Sequence, residues 1–237
     1  MHHVLLDRWS QGASPLHRRD ARAKILALLV FLVVLATTRS DAIIALVTYA
    51  ALLAAGILIA GLPLGAVLLR AMMVLPFSLT FGMISWLAGE PSRGLGLVEK
   101  SYLSTVAVLL LAAATPLPSL LAGLERLGTP LLLVLVAQFL YRYLFVVSEQ
   151  AQQMRLAASC REGRGMRQRQ GSRVRASTGA LAVLFARSYE RADGIHRAMQ
   201  ARGFSGRFSL LHATHFGAGD GAFLAVVSTF LILVRVG

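Results

Sequence analysis

The sequence predicts an all-α, polytopic membrane helix bundle with a cytoplasmic helical insertion, and three observations predict it. Hydrophobic residues make up 56% of the chain and charged residues 15%, where a soluble domain carries about a quarter charged. Apolar runs recur at or near the roughly 17–25 residues that a bilayer-crossing helix needs. The positive charge is gathered in two places, as expected when Lys and Arg collect on the cytoplasmic side.

The first apolar run, Ile25–Thr38, follows basic residues as the core of a signal peptide would. No small-x-small cleavage site follows it and a second run begins four residues later, so a retained span is expected. Ile43–Leu62, Ala66–Leu87 and Leu131–Val147 are the clearest further runs, and Ser101–Leu117 and Ala222–Val236 are shorter or less clean. The connections between the early runs, such as TRSDA and GLPLG, are short and nearly neutral.

The formal net charge is +13. Such a balance is the usual footprint of nucleic-acid binding, but membrane topology explains it better here, and no nucleic-acid partner is expected. Arg8, Arg18, Arg19, Arg22 and Lys24 precede the first run, and twelve arginines fall within 149–207 against four acids. Both regions should face the cytoplasm. Five runs lie between them, whereas an even number of crossings is required. The run most at odds with crossing is 64–87, which holds Arg70 and Pro76, a charge near hydrocarbon and a helix breaker. Ser101–Leu117 is the next.

The layout is therefore transmembrane helices over 1–148, a polar region over 149–207 and a closing transmembrane segment over 208–237. The 59 residues of the middle region are too polar to cross and too many for an idle loop. VSEQAQQMRLAASC continues a helix out of the preceding apolar run, and REGRGMRQRQGSRVR is punctuated by glycine. From Ser177 to Ala201, the residues Leu181, Leu184, Phe185, Tyr189, Ala192, Ile195 and Met199 recur at steps of three and four, which predicts an amphipathic helix. Arg187, Arg191, Asp193 and Arg197 fall largely off that face, suiting a membrane surface or a partner groove. Gly203, after Arg202, is the expected C-cap.

Catalytic signatures are missing: there is no phosphate-cradling Gly-rich loop with Lys-Ser/Thr, no His-Glu-x-x-His and no Gly-x-Ser-x-Gly. Cys160 is the lone cysteine and can form no internal disulfide. His212 and His215, three apart, form at most a weak metal pair. His2 and His3 behind the terminal Met offer nitrogens of the kind that suit square-planar nickel or copper, and an incidental terminus explains them as well. Arg142 lies inside an apolar run, either as a functional intramembrane charge or snorkelling to the interface. Glu90, Glu99 and Asp220 are isolated in the sequence, which argues against a membrane-embedded enzyme.

Several stretches together carry a resemblance: DARAKILALLVFLVV at 20–34, LLAGLERLGTPLLLVLVAQFLYRYLFVVSEQAQQMRLA at 120–157, and FARSYERADGIHRAMQARGFSG at 185–206. In these the chain resembles the transmembrane T component of energy-coupling factor (ECF) transporters, in the cobalt/nickel version, the CbiQ family. The third stretch is the specific one. The resemblance implies a non-catalytic subunit of the bacterial inner membrane, whose cytoplasmic helices are coupling helices. It implies as partners two ABC-type ATPase subunits and a CbiM/NikM-like substrate-capture membrane subunit with a small accessory membrane subunit. No cofactor is expected on this chain, ATP being used by the ATPases. Two Ala-Arg-Gly-type motifs would end the coupling helices and dock into the ATPases. The second is Ala201-Arg202-Gly203 without departure, supported by Arg187, Tyr189, Glu190, Arg191 and Met199. The first departs from the pattern: Arg161 with Gly163 and Arg164 with Gly165 both fit loosely, and Arg164-Gly165 keeps the Arg-Gly pair. An ECF importer for a vitamin, a membrane-embedded enzyme and a membrane-surface scaffold are the alternatives.

Overall fold

The computed structural model describes residues 14–17, 19–39, 42–161, 170–204, 206 and 216–236, with 161, 170–176 and 236 described by their backbone only. The described residues form α-helices and one 3-10 turn, with no strand among them. The chain gathers into two compact units, one of residues 1–129 with 212–237, the other of residues 130–211.

The first unit is a bundle. Asp20 starts α1 (Ala21–Thr37), its carboxylate accepting from the Arg22 amide at 3.0 Å, the usual way to satisfy an unpaired N-terminal donor. Helix α2 (Ile43–Ile59) packs Tyr49 edge-on against Phe31 of α1, ring centroids 5.9 Å apart. The turn after it uses Gly61 at φ 67°. Helices α3 (Leu64–Ala71) and α4 (Leu75–Leu87) are separated only by a 3-10 turn at Met72–Val74. Together they make a continuous 24-residue apolar stretch long enough to cross. Pro76 does not break it, because it sits in the first turn of α4, where a missing amide costs nothing. Arg70 falls in the last turn of α3, favourable for a cation. The run that looked least able to cross is therefore helical, long and apolar enough to do so.

Helix α5 (Pro91–Ala114) starts ten residues before the apolar run the sequence suggested, and stops at Thr115. It packs against α4 through two buried glycines. A Cβ on Gly94 would lie 2.6 Å from the Gly82 carbonyl oxygen, so the two backbones touch. Helix α6 (Leu117–Arg126), too short to cross, lies on α1 with Gly123 over Ala21 and Ile25. The last helix, which becomes α9 in chain order, is Ala218–Val236, its Leu231 fully buried. Phe31, Leu35, Tyr49, Ile57, Val67, Val106 and Leu231 share one core. Around it the surface stays greasy: Ile44, Met73, Phe77, Trp86 and Leu87 are all exposed, as suits a bundle whose solvent is lipid.

The second unit holds two long helices packed on each other, α7 (Leu131–Arg161) and α8 (Gln170–Ala201). Among the described residues four stretches are long and apolar enough to cross a membrane: Leu64–Leu87, Pro91–Ala114, Leu131–Cys160 and Ala218–Arg235, with Ile43–Ile59 a shorter apolar helix. The protein is a multi-pass membrane protein.

Candidate functional site

The best-defined tip in the described structure is the end of α8. Ala201 is its last helical residue. The Gly203 amide donates to the Gln200 carbonyl at 3.0 Å, and the Phe204 amide donates to the Met199 carbonyl at 3.0 Å. With Gly203 at φ 72°, this pair of bonds is a Schellman cap. The expected C-cap is therefore present, and glycine is required for its positive φ. The cap turns the chain sharply away just after Arg202, which is exposed. Among the described residues no side chain pairs with the Arg202 guanidinium. One turn back, Arg197 is paired with Asp193, and His196 with Gln200 at 3.0 Å.

The apolar face of α8 divides in two. Leu184, Ile195 and Met199 are half-buried, while Leu181, Phe185 and Tyr189 are 65%, 74% and 70% exposed. Periodicity read these as one face, but it reports hydrophobicity and not which part of a wide stripe finds a neighbour. Arg187, Glu190 and Arg191 are exposed alongside. In the first motif, Arg161 is the last residue of α7, and Gly163, Arg164 and Gly165 lie outside the described residues. So do His2, His3, His212 and His215. Among the described residues no three His, Cys, Asp or Glu side chains gather as metal ligands. Arg142 is exposed on α7, 5.9 Å from the Tyr143 ring centroid, compatible with a snorkelling stem over an aromatic face.

The structure also assembles a polar cluster the sequence reading missed. Asp220, read as isolated, is buried and accepts from the Asp20 amide at 3.3 Å and the Gly217 amide at 3.2 Å, with Arg19 3.8 Å away. Lys24 is only 6% exposed. Its ammonium donates to the Ala114 carbonyl and to Thr115 Oγ1, both at 3.1 Å, and to the His17 carbonyl at 3.3 Å. Burial lowers this ammonium from 10.5 to about 8, against the upward pull of Asp20 and Asp220; it lies ahead of the apolar run that starts at Ile25. Asp20 Oδ2 and Arg22 Nε are buried without partners among the described residues. The available signals were the acid inside the last apolar helix and the charged DARAK that opens the first.

A bundle of apolar helices, and a second unit whose last helix ends in an exposed arginine beside a glycine cap, define a multi-pass membrane protein. Residues 12–212 match the model of the CbiQ family, described as cobalt transport protein, and the chain belongs to that family. It is 30% identical over 121 residues to a cobalt transport protein CbiQ of Rhodobacter capsulatus, covering 51% of this chain and 48% of that one. The chain thus spans about half the length of that relative. It is 28% identical over 262 aligned positions to an energy-coupling factor transporter transmembrane protein EcfT of Bacillus selenitireducens, covering 98% of this chain and 96% of the relative.

Proposed function

We propose that this chain is the non-catalytic transmembrane coupling (T) subunit of an ATP-driven ECF importer for cobalt or nickel ions. Its partners are two ABC-type ATPases, which bind and hydrolyse the ATP, and a substrate-capture membrane subunit with its small accessory subunit. The observation that carries the reading is the tip Ala201-Arg202-Gly203. A rigid guanidinium with five donors suits an acidic or carbonyl-lined groove, and here it is presented at the end of a 32-residue helix with no side-chain partner among the described residues. Arg161 or Arg164 supplies the second contact. The exposed Leu181, Phe185 and Tyr189 offer an apolar surface to the capture subunit, and a nucleotide-driven change in the ATPases moves α7 and α8 against it.

The description of the matching family supports cobalt. The relative matched over nearly its whole length carries no substrate in its name, which favours, as the second reading, a T subunit serving another micronutrient. Arg202→Glu decides the coupling role. The variant should reach the membrane yet lose the ATPases on affinity purification of the complex, a loss of about 30-fold or more in affinity. Recovery of the ATPases at the wild-type level would sink it. Accumulation of radiolabelled cobalt or nickel by vesicles holding the complete complex, with ATP and without, separates the substrates.

The bundle also bears on topology. Thr115 and Asp220 meet at one end of it, around Asp20 and Lys24, so the chain between them makes an even number of crossings. Helix α8 holds no stretch apolar and long enough to cross. Helix α7 therefore has no helix to return beside, and on this reading it stays on the cytoplasmic side with α8, its apolar length covered by membrane surface and partner subunits.

A further inference from the structure

The chain has only two lysines among its 24 basic residues, and both do the same thing. Lys24 near the start of α1 donates to the Ala114 carbonyl and Thr115 Oγ1 at the end of α5. Lys100 in α5 donates to the Thr38 carbonyl at the end of α1. From 24 to 38, and from 100 to 114, is about 21 Å at 1.5 Å per residue, so the two antiparallel helices are clamped at both ends over the same length. An ammonium suits this role because it is a compact charge with three divergent donors, placed against the negative end of a helix.

At the Lys24 end the clamp is joined by Asp220, held by the Asp20 amide. Thr115 links α5 to α6, the helix on α1 from which the chain goes on to α7 and α8, and Asp220 is where the chain has just returned. Two residues more than 100 positions apart in the chain are thus lashed to the first turn of α1, Asp220 by the backbone amide of Asp20 and Thr115 by the Lys24 ammonium, both residues being buried. We propose that Asp20 and Lys24 are positioning residues that fix the root of the coupling region, so that residues 130–211 swing as a lever about an immobile base. This rests on the coupling function proposed above. Without the lash, movement of the tip would be absorbed by splaying of the exit and return points instead of reaching the partner subunit.

The test uses the complete complex in vesicles, loaded with cobalt or nickel, whichever the wild type accumulates, and reads ions taken up per ATP hydrolysed. Lys24→Met should keep the ATPases and hydrolyse within twofold of wild type, while uptake per ATP falls about tenfold. A second variant, Ala21→Cys with Gly123→Cys in a Cys160→Ser background, ties α1 to α6 covalently beside the root. A Cβ on Gly123 would lie 3.1 Å from that of Ala21, a few tenths of an ångström inside the usual disulfide range of about 3.5–4.5 Å. If the root is immobile, the oxidised pair transports as wild type and restores coupling when combined with Lys24→Met. Wild-type coupling in Lys24→Met overturns the proposal, and so does loss of uptake on oxidation of the cysteine pair alone, a result that stands even if Lys24→Met fails to fold. Failure of the coupling reading looks different: Arg202→Glu would retain the ATPases, or the wild type would show no ATP-driven uptake.

Discussion

Gly203 sets the geometry of the tip more tightly than its neighbours do. Its φ of 72° costs an L-residue roughly 1–2 kcal/mol, so Gly203→Val should fray the last turn of α8 and loosen the angle at which Arg202 is offered. The expected outcome is weaker ATPase retention with unchanged membrane insertion, and Gly203→Asn, which tolerates this conformation, should lie between the two. Lys100 is a second case. Its bond to Thr38 is charge-assisted and half-buried, so Lys100→Met should cost roughly 1.5 kcal/mol. A lower thermal aggregation temperature in detergent would show it, and an unchanged one would count against the clamp.

Between elements, α4 and α5 come close enough for their backbones to touch. Gly82 and Gly94 bring two backbones together, and any side chain at 94 runs into a carbonyl that cannot rotate away. Gly94→Leu should force the hairpin apart at a cost of about 1–3 kcal/mol, visible as poor recovery from the membrane, whereas Leu95→Ala on the exposed side should be nearly neutral. Neither glycine stood out in the sequence, since small residues at a helix contact carry no hydrophobic signal. The cap at Gly203 was legible because an Arg-Gly step after an amphipathic run is a local signal. The Asp20–Lys24–Asp220 cluster was not, because Asp220 is 200 residues from Asp20 and only the fold brings them together. Pro76 misled for a related reason: a proline breaks a helix in its interior and not in its first turn.

For the whole molecule, the apolar runs and the two basic regions were enough to establish an all-α membrane protein, but not the number of crossings. Hydropathy cannot distinguish a helix immersed in lipid from one covered by another protein, and Leu131–Val147 is apolar enough for either. On the topology proposed above, the shared location of Thr115 and Asp220 supplies the missing constraint. With Cys160 replaced by Ser, single cysteines at Thr129 and Glu149 should both react with a membrane-impermeant maleimide only from the cytoplasmic side. A cysteine at Gly89, in the α4–α5 turn, should react only from the opposite face. Labelling of position 129 from outside would show that α7 crosses after all.

The scarcity of lysine has a practical corollary. With one ammonium enclosed among carbonyls and the other half-buried at a helix end, amine-directed chemistry has almost nothing to seize on this chain beyond its terminal amine. Acylating dyes or lysine-bridging reagents applied to an assembled complex should therefore stain and join the neighbours while leaving this subunit nearly silent, although its many arginines keep it open to tryptic digestion.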